Sequence, residues 1–452
     1  MNCIRIQFMQ KRIIMATLWN KGTEATELVD RFTVGDDRTL DLRLAESDIE
    51  GSQAHIRMLE SIGLLTAAER KALSEGLERI LVSVKAGIFQ VEDDVEDIHS
   101  QIELMLTREL GELGKKIHAG RSRNDQVLVD LKLYLREELR QVRGEVLNLF
   151  HILQEISEKY KEILLPGYTH GQLAMPSSFG LWLGAYAEAL AEDMTQLGAA
   201  WKVTDRNPLG SAAGYGSSFP LDRAMTTRLL GFAEPVYNSV AAQLGRGRLE
   251  RTVAGALGAV ALTLNKFAAD CIFYMSPNQG FIHFLDSLTT GSSIMPHKKN
   301  PDVWEIIRGR CNRILACPGE IALLASNLPH GYHRDYQLLK EILFPAIDQL
   351  HDCLQMTAYM LQHLQVNPHI FENPLYETLF TVEEVNRRVL SGTPFREAYR
   401  QVGIEVNEGR FHYEGPAPAS LKTSDLEHTH LGSLGNLCTR QIAAVMEAAA
   451  AW

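Results

Sequence analysis

The sequence is poor in the features that mark the more specialised classes of protein. Cysteine occurs six times in 452 residues, at positions 3, 271, 311, 317, 353 and 438, and never as a CxxC pair. That spacing excludes a disulfide framework and fits reduced, partly buried thiols in a cytoplasmic protein. Basic charge is also short: 45 Lys and Arg stand against 56 Asp and Glu, a formal charge of -11. A nucleic-acid partner usually requires a basic face, so none is expected. An anionic small molecule stays compatible, because a local basic pocket can sit in an acidic protein. No uninterrupted apolar run reaches the roughly 20 residues that a bilayer demands, so no membrane partner is expected. The segment before Met15 carries Arg5, Lys11 and Arg12 without the apolar core or cleavage site of a signal peptide. Residues 1–14 therefore read as a disordered or non-native extension. Alternating strand patterns are scarce.

What is plentiful is helical periodicity. From about Asn124 to Lys161, apolar residues recur every three or four positions: Val127, Leu131, Leu135, Leu139, Val142, Val146, Leu149, Leu153, Ile156. Lys132, Arg136, Glu137, Arg140 and Arg143 fill the other faces. At a rise of ~1.5 Å per residue this helix exceeds about 50 Å, and so long a stripe needs other helices to cover it. Further helices are predicted after Pro176, from about Leu249 to Met275, from Pro301 with Asn300 as N-cap, and from about Asp335 to Gln365. Small residues at Ala254, Gly255, Ala256, Gly258 and Ala261 predict close helix contact. The fold class expected is all-α with a central long-helix bundle. The expected domains are an N-terminal helical domain at 1–120, a central bundle at 121–365 and a small helical domain at 366–452.

Four segments carry chemistry. Gly291-Ser-Ser-Ile-Met-Pro-His-Lys-Lys-Asn-Pro301 joins two hydroxyls, two lysines and a helix start, which suits a mobile loop closing on a carboxylate. Ile294 and Met295 argue against an ordinary surface loop. His118-Ala-Gly-Arg-Ser-Arg-Asn-Asp-Gln126 offers Arg121, Arg123 and Asn124 to carboxylates, although charged helix starts are common. Gly167-Tyr-Thr-His-Gly-Gln-Leu-Ala-Met-Pro176 presents His170, an acid or base near neutral pH, before a helix-starting proline; a lone histidine is more often structural. In 327–340, Tyr332 lies in a loop, and Gln337 and Lys340 share one helical face; the bland alternative is an exposed helix start. Asp93, Asp94, Glu96, Asp97 and His99 show no diagnostic ligand spacing and read as a solvated acidic face rather than a metal site. Gly214-Tyr-Gly-Ser-Ser-Phe lacks the third glycine of a dinucleotide loop.

In this order and at these distances the segments resemble the argininosuccinate lyase family of the fumarase/aspartase superfamily. The resemblance runs from Leu44-Ala-Glu-Ser-Asp-Ile-Glu-Gly-Ser-Gln-Ala-His55 to Gly392-Thr-Pro-Phe-Arg-Glu-Ala-Tyr399. The GSSIMP…KKNP loop marks the superfamily. RSRNDQ, YTH and the Tyr332/Gln337/Lys340 spacing mark the branch. The resemblance implies a three-domain, all-α chain that forms a homotetramer with active sites shared between subunits. It also implies a β-elimination of argininosuccinate into arginine and fumarate, the last step of arginine biosynthesis, with no metal and no organic cofactor. By resemblance Ser292 is the base, supported by Lys298, and His170 is the acid, oriented by Glu305. Ser122, Arg123, Asn124, Thr169 and Asn300 are ligands of the succinyl carboxylates. Tyr332, Gln337 and Lys340 are ligands at the arginine-derived end, where Lys340 would meet the α-carboxylate.

This chain departs from the family pattern at several points. His297 replaces the usual Gln of the loop, as in adenylosuccinate lyases. Asp37 stands where the family has a substrate-binding Ser, four residues before the Asp matched by Asp41. Residues 170–176 read HGQLAMP instead of a pattern ending in QP, and LGRGRL at 244–249 replaces SDRDF. Two further readings follow: a sister fumarate-releasing lyase of the adenylosuccinate type, supported by His297, and an inactive crystallin-like structural protein. Tyr332, Gln337 and Lys340 oppose the first; retention of Ser292, His170, Lys298 and Glu305 opposes the second.

Overall fold

A computed structural model describes residues 27–452, so the extension expected at 1–14 lies outside the described residues. Helices dominate, and the strands form three two-stranded pairs among the described residues. The chain divides into two compact units, each assembled from separated stretches. The first comprises the described residues up to Gln141, Ala199–Gly255 and Ala316–Ile347; the second comprises Val142–Gly198, Ala256–Leu315 and Asp348–Trp452.

The predicted long helix is the unbroken Arg123–Lys159, of 37 residues. Its stripe is buried from Leu131 through Leu135, Leu139, Val142, Val146 and Leu149 to Leu153. Two of the charges assigned to its outer faces are buried as well. Lys132 Nζ donates to the Val203 carbonyl at 3.0 Å, and Arg136 donates to the carbonyls of Leu230 (3.0 Å) and Gly231 (2.8 Å). Carbonyls left over at helix ends supply what water would have supplied. Burial pushes the Lys132 ammonium down to about 8, while the Arg136 guanidinium lies 4.5 Å from the Phe232 ring centre.

The other long helices are Phe179–Thr204, Arg248–Met275, Asp302–Leu324 and Leu339–Gln362. The first begins three residues beyond Pro176. That proline starts no helix: it pairs with Pro166 in a hairpin of Leu164–Thr169 and Gln172–Ser178 that periodicity did not reveal. A two-stranded ribbon leaves N–H positions free of partners, so prolines are tolerated there. Asn300 and Pro301 precede rather than open the helix at Asp302. By length and composition alone Arg248–Met275 is apolar enough to cross a membrane, although it is not an uninterrupted apolar run. Half of its most apolar window is buried in protein, and Glu250, Lys266 and Asp270 interrupt it.

Candidate active site

In the first unit, the start of the long helix, the Asp37–Asp41 turn and the 332–340 segment enclose a cavity of about 190 Å³. Ser122 opens the helix by accepting the Asn124 N–H at 3.3 Å. Asp125 ties that turn down: its carboxylate accepts the N–H groups of Ser122 (2.8 Å), Gly210 and Ala212 (both 2.9 Å). Asn124 lines the cavity. Arg121 points inward and donates to Ser52 Oγ at 2.9 Å. Arg123 also lines the cavity, in an ion pair with Asp97 and a 3.1 Å bond to Ser100 Oγ.

Asp97 and Glu96 correct the reading of a solvated acidic face, because Glu96, Asp97 and His99 are all buried. Arginines distant in sequence draw them in. Arg334 pairs with Glu96 at 2.7 Å. Burial works against the Asp97 anion, yet Arg123 and His99 hold its carboxyl below the usual range.

Tyr332, Gln337 and Lys340 all line the cavity. The exposed-helix alternative fails at Lys340, which is 5% exposed. Its ammonium is shared by two buried carboxylates, Asp37 at 2.6 Å and Asp41. Gln337 Nε2 donates to the other oxygen of Asp37. Burial raises the Asp37 carboxyl to about 6, against the pull of Lys340. Sequence reasoning missed Arg246 as a wall of this cavity. Its Nε donates to Glu250 at 3.1 Å and its Nη2 to the Tyr336 carbonyl at 3.0 Å. The signal was present in the LGRGRL stretch, where an arginine stands between two glycines.

Beneath the same helix start, Asp48, His99 and Asp130 are buried with ligand-type atoms within 4.8 Å of one another. His99 Nδ1 lies 3.1 Å from Asp48 and 3.3 Å from Asp130. Asp48 Oδ2, His99 Nε2 and both Asp130 oxygens have no hydrogen-bond partner among the described residues. Burial opposes the Asp48 anion, but His99 and Arg121 hold it at about 2, while burial and the Asp48 charge drive the Asp130 carboxyl well upward.

The second unit carries the remaining candidates. His170 and Gly171 have φ of 55° and 71°, the paired left-handed conformation of a two-residue hairpin turn, with Thr169 facing Gln172 across it. Thr169 and His170 are thus presented, exposed, at the tip. The 291–300 loop is pinned at its base: the Asn300 N–H donates to the Thr290 carbonyl at 2.8 Å, and the Asn300 amide donates to the Gly291 carbonyl at 3.2 Å. Beyond that base it is open, with Ile294 82% exposed. Ser292 Oγ accepts the backbone N–H groups of Met295 at 3.2 Å and Ile294 at 3.4 Å. Lys299 pairs with Asp286 at 2.5 Å; Lys298 makes no ion pair among the described residues and is exposed, as is Glu305. Among the described residues no hydrogen bond or ion pair joins His170 to Glu305.

Chemically, the first unit offers a small, charge-lined pocket, and the second offers a hydroxyl fed by amides, a histidine and a lysine. A family profile described as Lyase matches residues 22–316. The chain is 55% identical to the argininosuccinate lyase of Phocaeicola vulgatus, over 95% of this chain and 94% of that protein. It is 54% identical to the argininosuccinate lyase of Bacteroides thetaiotaomicron over the same shares. Among solved structures, EDDS lyase in complex with formate matches with a TM-score of 0.77 at 21% identity, covering 95% of this chain and 90% of the other; that likeness is one of fold. With identity above half along nearly the whole length, the chain belongs to the argininosuccinate lyase family, within the fumarase/aspartase superfamily.

Proposed function

We propose that this protein cleaves argininosuccinate into arginine and fumarate, in the cytoplasm, as the last step of arginine biosynthesis. Ser292 as alkoxide removes a proton from the succinyl carbon next to a carboxylate. The electron pair left behind forms the carbon–carbon double bond as the carbon–nitrogen bond breaks. His170, oriented by Glu305, gives its proton to the departing guanidino nitrogen. The observation that carries this reading is the pair of backbone amides donating to Ser292 Oγ. A serine alkoxide is costly in water, and preorganised donors lower that cost where charge develops. The exposed ammonium of Lys298 adds to the same field on loop closure.

Ser122, Arg123, Asn124, Thr169 and Asn300 bind the succinyl carboxylates, whose charge rises as the carbanion forms. Tyr332, Gln337 and Lys340 bind the arginine-derived end. We also propose the three-domain division at 1–120, 121–365 and 366–452, and a homotetramer in which each active site draws segments from several subunits. Exposed apolar side chains on the long helices support association: Ile306 is 59% exposed, Leu323 79% and Leu262 47%. A Cβ placed at Gly255 would meet nothing within 4 Å in this chain, which leaves the close contact its small residues predict to a neighbouring subunit.

The test is fumarate release, followed by ultraviolet absorbance, from argininosuccinate and from adenylosuccinate separately. Release from argininosuccinate alone is expected. Release from adenylosuccinate alone, or from neither with a folded tetramer, overturns the proposal.

A further inference from the structure

Three buried side chains meet beneath the start of the long helix. Asp48 comes from the helix Ala45–Ser61, His99 from Ile98–Leu110 and Asp130 from Arg123–Lys159, all within the first unit. None of the three lines the cavity that holds Arg123 and Lys340. Asp48 and Asp130 are 0% exposed and His99 is 2% exposed. One ring N–H cannot serve both carboxylates. His99 Nδ1 is hydrogen-bonded to Asp48 Oδ1 at 3.1 Å, whereas Asp130 Oδ2, at 3.3 Å, forms no hydrogen bond with it. Gln126 Nε2 adds a bond of 2.6 Å, but to the same Asp48 oxygen. Arg121 adds a favourable charge, yet its Nη1 is spent on Ser52 Oγ at 2.9 Å. Three carboxylate oxygens are therefore left over in the interior: Asp48 Oδ2 and both of Asp130. Burying such groups unanswered is costly. A proton shared by the two carboxyls answers two of these oxygens and leaves the third, while a cation on the Nδ1 side can answer all three.

We infer that Asp48, His99 and Asp130 form a structural site for one divalent transition-metal ion, with zinc the cation of matching chemistry. The donor set is an imidazole nitrogen and two carboxylates, a mixture that zinc accepts. The spacing fits as well. Bonds of about 2.0–2.1 Å at tetrahedral angles set neighbouring donors about 3.3–3.4 Å apart. His99 Nδ1 stands 3.1 Å and 3.3 Å from the two carboxylates. Those separations are long for a charge-assisted hydrogen bond, which closes to about 2.7–2.9 Å. The two carboxylates neutralise the ion, and their leftover oxygens supply its remaining coordination positions. The ion ties three helices together at one point. One of them is capped by Asp97, which holds Arg123 in the wall of the cavity. Its part is in the fold, because none of its ligands lines the cavity, and the inference does not depend on the substrate reading. Ligands so far apart in sequence show no ligand spacing, which is why His99 reads from sequence as the end of an acidic run.

Elemental analysis of tag-free, dialysed protein tests the inference. Wild-type protein produced in zinc-supplemented medium is expected to retain one zinc per chain. Protein unfolded in denaturant with a chelator is expected to regain that zinc on refolding with zinc chloride. Refolding with cobalt chloride instead should give the intense visible absorption of a four-coordinate cobalt site, without a thiolate charge-transfer band. Metal-free protein should melt several degrees below the zinc form, because an ion bound only by the folded state stabilises it. Asp130→Asn and His99→Gln each remove one ligand, and both are expected to lose the zinc and, with it, the response of the melting temperature to zinc. Wild-type protein that holds no zinc by either route overturns the inference and leaves a shared proton between the carboxyls. Zinc retained undiminished in both variants also overturns it, since the ion is then bound elsewhere on the chain. Zinc bound with no effect on melting overturns the structural role. Should both variants fail to fold, the wild-type zinc content and the cobalt spectrum decide: the weak absorption of six-coordinate cobalt overturns the site.

Discussion

Replacing Lys340 by Met tests whether the pocket is held by charge or by shape. The side chain lengths are close, so little packing is lost, but Asp37 (4% exposed) and Asp41 (3%) lose their shared cation. Removing one partner of a buried ion pair costs roughly 3–5 kcal/mol. An independent route gives a similar figure. A carboxyl of ordinary pKa near 3.9 forced to stay neutral at pH 7 costs ~1.36 kcal/mol for each of about three pH units, or about 4 kcal/mol. Asp37 already sits at about 6 with the lysine in place, because burial outweighs Lys340; most of the new cost therefore comes from one further carboxyl taking up a proton. The sign follows from linkage. A carboxyl with its folded pKa raised contributes no penalty below its unfolded pKa, and the penalty grows as pH rises toward the folded value. Urea unfolding followed by circular dichroism should therefore show a loss of about 4 kcal/mol at pH 7 that shrinks by roughly 2–3 kcal/mol at pH 5. Adding Asp41→Asn to Lys340→Met should recover more than half of the loss at pH 7. A loss independent of pH, or no rescue, would refute the charge argument.

Three further substitutions probe other parts of the molecule. His170→Asn should lower kcat for argininosuccinate by about 10²- to 10⁴-fold, the usual contribution of a general acid, with circular dichroism unchanged; full activity removes His170 from that role. Arg123→Met strips the buried Asp97 of the cation that holds its carboxyl low, and should cost roughly 3–5 kcal/mol near neutral pH. Because a depressed carboxyl contributes its stability in full above its unfolded pKa of about 4 and loses it only as pH falls toward the lower folded value, that cost should shrink below pH 4; urea titrations at pH 7 and pH 2 compare the two. Gly247→Ala forces a side chain onto a residue with φ of 74° and brings its Cβ within 2.4 Å of Ala325 Cβ. About 1–2 kcal/mol of backbone strain and 1–3 kcal/mol of overpacking should appear as a lowered melting temperature.

The long helices were legible because each writes its own period: the stripe from Leu131 to Leu153 is a local property of the chain and it is buried as read. The hairpin was not legible, because its signal is short and contains two prolines, and what makes it possible is a single close approach. A Cβ at Gly167 would lie 2.6 Å from the Met175 carbonyl oxygen, so only glycine admits the crossing that carries Thr169 and His170 to an exposed tip. The acidic run at 93–99 was misread at Glu96, Asp97 and His99, though not at the exposed Asp93, for the opposite reason. Its charges looked solvated because their partners, Arg123 and Arg334, lie far along the chain, and no local rule announces a distant counter-charge.

The same limit explains the cavity. Gln337 and Lys340 were readable as neighbours on one face, whereas their attachment to Asp37, some 300 positions earlier, was not. At position 37 the sequence shows an aspartate in place of a substrate-binding serine; at 246 it shows an arginine between glycines. Taken separately, neither position shows that it lines the same cavity as Lys340. Set into one wall beside Lys340, they bring a buried carboxylate and a buried guanidinium donor into one cavity, and a buried polar group is expensive until something answers it, which neither position announces by itself.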